Sequence, residues 1–186
     1  DGMAAALGAL LQTFGLPQAR VVGHSAGAAL MLRAVLDGRL AASQLVGLNA
    51  ALLPFEGLAR ISFGPLARWM AARPLAPALL AWAASDPRSV ERLLRATGSQ
   101  LDADGSALYA RLMRRRAHVA GVLQMMADWP LDVLYADLPR LQTPLMLIVA
   151  DRDRTVPPDQ AFRLAERLPA VRVRTLEGLG HLAHEE

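Results

Sequence analysis

The stretch Val21–Leu30, VVGHSAGAAL, constrains this chain more than any other. Two β-branched residues run into Gly23-His24-Ser25-Ala26-Gly27, and small, helix-forming residues follow. The pattern reads as a buried strand turning sharply into a helix with a serine at the bend. A side chain in so tight a turn stands out from the backbone, and flanking glycines keep neighbouring side chains from colliding there. The helix that follows aims its N-terminus at the serine, so the Ala26 N–H is placed to stabilise a developing oxyanion. A serine hydroxyl is a weak nucleophile until a base takes its proton. The stretch therefore asks for partners elsewhere in the chain.

The chain has four histidines. His24 lies inside the turn, where its side chain is expected to point away from the Ser25 hydroxyl. His118 lies in the helical middle stretch of the chain and reads as a surface or satisfied helix histidine. His181, in Leu179-Gly180-His181-Leu182, follows the last strand pattern and is the preferred base. His184, on what reads as the first turn of a helix, is its rival. The orienting acid is sought in Ala150-Asp151-Arg152-Asp153-Arg154-Thr155-Val156-Pro157, just past an apolar run. Asp153 is preferred, and Asp151, nearer the strand end, reads as a turn former. The order Ser25, Asp153, His181 places each candidate just beyond a strand's C-terminal end, where an open α/β sheet gathers its functional groups.

Periodicity supports that sheet. Strand patterns cover Ala19–His24, Gln44–Asn49, Leu145–Ala150 and Val171–Leu176. Helices are expected over Met3–Phe14, ended by Gly15 and Pro17, over Ala26–Leu36, and over Gln160–Leu168. Strands alternating with helices predict an α/β fold with a parallel sheet. From Pro54 to Pro139 the pattern becomes helical, with Trp69, Trp82 and Trp129 inside it. The expected organisation is a core of residues 1–53 and 141–186 with a helical cap inserted over 54–140.

Composition closes several alternatives. At 186 residues, 53% apolar and 20% charged, the chain can bury a core and does not read as disordered. The isoelectric point near 10.4 is misleading. All 20 basic residues are arginine, so no lysine titrates near pH 10 and the formal charge at neutrality is only +3. The densest basic run, Arg111–Arg116, has no interleaved aromatics and reads as a solvated helix face, so no nucleic-acid partner is expected. There is no cysteine, which removes disulfides and thiolate metal sites. No metal cluster and no cofactor motif stand out. The N-terminal segment has no basic region of the signal-peptide kind, and no apolar run reaches the ~20 residues of a membrane span. The expectation is a soluble, cytoplasmic protein.

These motifs resemble those of the α/β-hydrolases. GHSAG and the D-x-x-V-P loop are general to that superfamily. GHSAGAA, VGLNAALLPFEGLA, DPRSVERLLRATGS, HVAGVLQMMADW and the ending GLGHLAHEE are similar to one subgroup, the magnesium-chelatase accessory α/β-hydrolases of bacteriochlorophyll biosynthesis. The resemblance runs over nearly the whole chain. It implies Ser25 as nucleophile, Asp153 as acid and His181 as base, with Ala26 in the oxyanion hole. Ala150, where many members carry glycine, is a mild departure. Serine in place of aspartate at residue 25 disfavours the dehalogenase and epoxide-hydrolase branches.

The resemblance also implies that further strands and an HG-containing loop, source of a second oxyanion donor, belong ahead of the first helix. On that reading the chain is an N-terminally truncated fragment, poorly soluble and inactive by itself. The function expected of the whole is hydrolysis of a small apolar ester or acyl substrate, with substrate-binding residues not assigned. Transacylation is a weaker variant of that reading. The other reading is a non-catalytic accessory protein that binds a porphyrin or a magnesium-chelatase subunit.

Overall fold

The computed structural model describes residues 2–15, 19–54, 65–66, 68–128 and 131–186. The expected helix stop at Pro17, residues 55–64 and Trp129 lie outside the described residues. The elements run α1 (Gly2–Thr13), β1 (Ala19–His24), α2 (Ala26–Leu36), β2 (Ala42–Leu48), α3 (Ala76–Ala83), α4 (Pro87–Ala96), α5 (Ala103–Met113), α6 (Arg116–Ala127), α7 (Leu131–Asp137), a 3₁₀ turn (Leu138–Arg140), β3 (Leu145–Ala150), α8 (Asp159–Arg167) and β4 (Val171–Leu176). The four strands form one sheet in the order β1-β2-β3-β4, and every neighbouring pair is parallel. The protein is therefore α/β with a parallel sheet.

Contacts divide the chain into two units. The first joins residues 1–53 to 131–181 and holds the sheet; the second joins 54–130 to 182–186 and is helical. In the first unit β3 is the most deeply buried strand, with Leu145, Leu147, Val149 and Ala150 all shielded. Met31 and Leu32 of α2 and Leu45 of β2 are shielded as well. Each such leucine, methionine or valine contributes roughly 1.5–3 kcal/mol by leaving water. Ala4 of α1 meets Ala34 and Leu40, with Leu7, Leu11, Val21, Leu30 and Val35 packed around them.

Residues 131–140, expected in the inserted cap, belong to the first unit because α7 is tied to α2. Arg33 donates to Asp137 at 2.7 Å and pairs with Asp37 at 2.6 Å.

The helical unit has its own small core, in which Val90 and Leu94 of α4 pack with Leu182. Asp86 and Asp102 cap α4 and α5, accepting from the N–H groups of Arg88 and Gly105 at 3.0 and 2.7 Å. Residues 182–186 join this unit through three bonds. The Leu182 N–H donates to Ser99 Oγ at 2.8 Å, Tyr109 Oη donates to Glu185 at 2.7 Å, and the Gln100 N–H donates to Glu186 at 3.1 Å. Burial, then the Glu185 carboxylate, pushes the Tyr109 phenol above its ordinary pKa.

Candidate active site

The serine turn is built as its residues require. Ser25 has φ 49° and ψ −118°, a left-handed conformation that non-glycine residues adopt at a cost. Its N–H donates to the Leu48 carbonyl at 3.0 Å, and its own carbonyl accepts from the Ala28 and Ala51 N–H groups at 3.2 Å each. The turn is thus pinned to the end of β2 from both sides. Gly23 is required by close approach, since a Cβ there would stand 2.6 Å from the Ala28 Cα. Gly27 is different: it is exposed and helical, and a Cβ there would meet no described atom within 4 Å. The expectation that both glycines relieve crowding therefore holds at Gly23 alone. Ala26 is the first residue of α2. Its N–H has no acceptor within the helix, and the helix dipole adds partial positive charge at that end.

Asp153 follows β3 and is buried. Its Oδ1 accepts from the Thr155 and Val156 N–H groups at 2.7 and 2.9 Å. These bonds lock the carboxylate and leave Oδ2 facing His181 Nδ1 at 2.7 Å. His181, in the turn after β4, is also buried, and its Nε2 lies 3.0 Å from Ser25 Oγ. A carboxylate can only accept here, so Nδ1 carries the ring proton and Nε2 offers its lone pair to the serine hydroxyl. The structure thus brings Ser25, His181 and Asp153 into one hydrogen-bonded line.

The rival residues go elsewhere. Asp151 is exposed, and its Oδ1 accepts from the Gly178 N–H at 2.7 Å, tying the ends of β3 and β4 together. His184 is exposed in the helical unit, 3.3 Å from Glu185, in a turn instead of the expected helix. His118 is exposed on α6, at the rim of an apolar cleft of about 390 Å³ within the helical unit. Leu80, Val90, Leu93, Met113, Val122 and Leu123 also line that cleft.

Sequence reasoning missed Asn49. Read as the last residue of a strand, it lies just past β2 with φ 44°, and it is almost completely buried. Its Nδ2 donates to the carbonyls of Gly180 and His181 at 3.1 and 2.8 Å, and its Oδ1 accepts from the Ala150 N–H at 2.8 Å. His24 makes a further unanticipated contact. Its Nε2 lies 2.8 Å from the His181 carbonyl, and the two rings are 4.7 Å apart between centroids. No cluster of metal-ligating side chains occurs among the described residues, and no helix among them is long and apolar enough to cross a membrane.

Comparison with known proteins agrees with this architecture. The sequence profile of a family described as alpha/beta hydrolase fold matches residues 1–186. The magnesium-chelatase 30 kDa subunit of Rhodobacter capsulatus is 40% identical over 183 residues, which is 98% of this chain and 63% of that protein. The chain thus spans less than two thirds of that relative's length. An alpha/beta hydrolase fold protein from Burkholderia ambifaria superposes with a TM-score of 0.74 at 22% identity, covering 98% of this chain and 66% of the other. An esterase from Exiguobacterium antarcticum gives 0.71 at 14% identity, covering 96% and 65%. At such identities these structures speak to the fold alone.

Proposed function

The chain belongs to the alpha/beta hydrolase fold family, and from that premise we propose that the whole protein is a serine hydrolase acting on an ester or related acyl bond. One observation carries this reading: the unbroken line from Ser25 Oγ through the His181 ring to Asp153, at 3.0 and 2.7 Å.

In the proposed reaction Ser25 Oγ attacks the substrate carbonyl carbon while His181 Nε2 takes the hydroxyl proton. Asp153, held by two backbone N–H groups, keeps the ring in the required tautomer and stabilises the imidazolium. The tetrahedral oxyanion accepts from the Ala26 N–H. As the intermediate collapses, the bond to the leaving alcohol breaks and His181 returns its proton to that oxygen. Water then attacks the acyl-serine, giving His181 a proton that passes back to Ser25 as the acid departs. The Ser25–His181 and His181–Asp153 hydrogen bonds are formed without substrate, and preorganisation of this kind is where such sites derive most of their rate. The Trp, Met and Leu content of residues 54–140 favours an apolar substrate.

A fluorophosphonate probe on the full-length protein tests the reading. Labelling that disappears in Ser25→Ala supports it, and an unlabelled wild-type protein overturns it.

The likeness to the Rhodobacter capsulatus chelatase subunit favours a second reading, an accessory role in magnesium chelation and bacteriochlorophyll formation, with a chelatase subunit or a porphyrin as partner. It is tested by adding Ser25→Ala protein to a reconstituted chelatase assay. Full support of chelation by this variant assigns the role to binding, not to hydrolysis.

A further inference from the structure

The His181 ring is held by Asp153, but a ring is only as well aimed as the backbone that carries it. The His181 carbonyl oxygen receives two side chains at once, Asn49 Nδ2 at 2.8 Å and His24 Nε2 at 2.8 Å. We propose that Asn49 and His24 are positioning residues that clamp this carbonyl and so aim the His181 ring at Ser25. The inference rests on the hydrolase reading for its catalytic consequence, though not for its geometry.

The donor assignment follows from the partners. A carbonyl oxygen can only accept, so His24 Nε2 carries a proton and Asn49 turns its NH₂ toward Gly180 and His181. The Ala150 N–H can only donate, which places the Asn49 carbonyl oxygen opposite it and leaves no freedom to flip the amide. One buried side chain thereby joins the ends of β2 and β3 to the loop after β4. Asparagine suits this place twice over. Its backbone tolerates the left-handed φ of 44°, and its amide has both a donor and an acceptor face. An aspartate would turn oxygen toward two carbonyl oxygens. His24 is placed for the task because it precedes the nucleophile: β1 delivers Ser25 to one end of the base and the His24 side chain to its backbone. Nucleophile and base are thus referenced to the same strand end, and the distance between them depends on one short segment.

Three variants of the full-length protein test the clamp. His24→Phe keeps a ring and removes the donor, and His24→Gln restores a donor at similar reach. His24→Asn, whose amide falls short of the carbonyl, replaces the Phe variant should that one fail to fold. Two readouts are followed, the second-order rate of fluorophosphonate labelling and the low-field NMR resonance of the His181 Nδ1 proton. The clamp requires slower labelling in His24→Phe, on the order of 10²-fold for a misplacement near 1 Å. It also requires a broadened or lost resonance, with recovery of both in His24→Gln. A merely structural role predicts a lower melting temperature with an unchanged labelling rate per folded molecule, and that result overturns the clamp. Failure of the glutamine to recover what phenylalanine loses overturns it too. If wild-type protein takes no label, the hydrolase reading falls, and the resonance alone decides: lost in Phe and restored in Gln upholds the clamp, unchanged rejects it.

Discussion

Gly23 and Ala28 approach so closely across the serine turn that a Cβ on Gly23 would lie 2.6 Å from the Ala28 Cα and 2.7 Å from its nitrogen. Both obstructing atoms are backbone, so no side chain can swing aside. Gly23→Ala must push α2 away from β1, and overpacking of this kind costs about 1–3 kcal/mol. Gly27→Ala meets no described atom and places a better helix former in the first turn of α2. Urea denaturation is expected to rank Gly27→Ala at or above wild type and Gly23→Ala clearly below it. Equal midpoints for the two variants contradict the argument.

Ser25 holds φ 49° against its own side chain. Strain of this sort costs on the order of 1–3 kcal/mol, and glycine escapes most of it, less about 0.5–1 kcal/mol for its greater chain entropy. Ser25→Gly is therefore expected to be more stable than Ser25→Ala by about 1 kcal/mol, with both inert to fluorophosphonate. Paired thermal melts check the ordering. A more stable alanine variant shows that the surroundings impose the conformation without strain.

The elements that carry the candidate site were legible because their signals are local. The bounds of β1, α2, β3 and β4 coincide with the strand and helix patterns expected at those residues. What was not legible depends on partners distant in sequence. Arg33 and Asp137 are 104 residues apart, so no local pattern assigns residues 131–140 to the sheet unit. Asn49 reads as a strand residue because nothing nearby announces its positive φ or its reach to Gly180 and His181, more than 130 residues on. His24 was expected to turn from the serine hydroxyl, but its target, the His181 carbonyl, exists only once β1 and the loop after β4 meet. Hydrogen-bond partners of buried polar groups are properties of topology, whereas strand and helix bounds are largely properties of windows.

The two aspartates near β3 separate by substitution to asparagine. In Asp153→Asn the oxygen stays with the Thr155 and Val156 N–H groups, which can only donate, and the NH₂ turns toward His181 Nδ1. The ring must then carry its proton on Nε2 and can no longer accept from Ser25. The labelling rate is expected to fall by about 10⁴-fold, with near-UV circular dichroism retained. Asp151→Asn keeps an oxygen for the Gly178 N–H and is expected to label within a few-fold of wild type. Comparable losses in the two variants break the assignment of Asp153 as the orienting acid.

The tie between α2 and α7 sets an acid limit on the sheet unit. The Arg33 guanidinium, then Arg140, hold the Asp137 carboxyl below its ordinary value of 3.8. A carboxyl whose folded pKa is depressed binds protons more readily in the unfolded chain. Its contribution is complete above 3.8 and fades as pH drops through the lower, folded value. The melting-temperature difference between wild type and Asp137→Asn is therefore expected to stay constant at neutral and mildly acidic pH and to narrow below 3.8. The exposed pair Glu91–Arg95 on α4 is the control, since solvent screens it and Glu91→Gln is expected to shift melting little at any pH. A difference for Asp137→Asn that persists unchanged into strong acid assigns its effect to packing instead of charge, leaving Arg33 without an electrostatic part in joining α7 to α2.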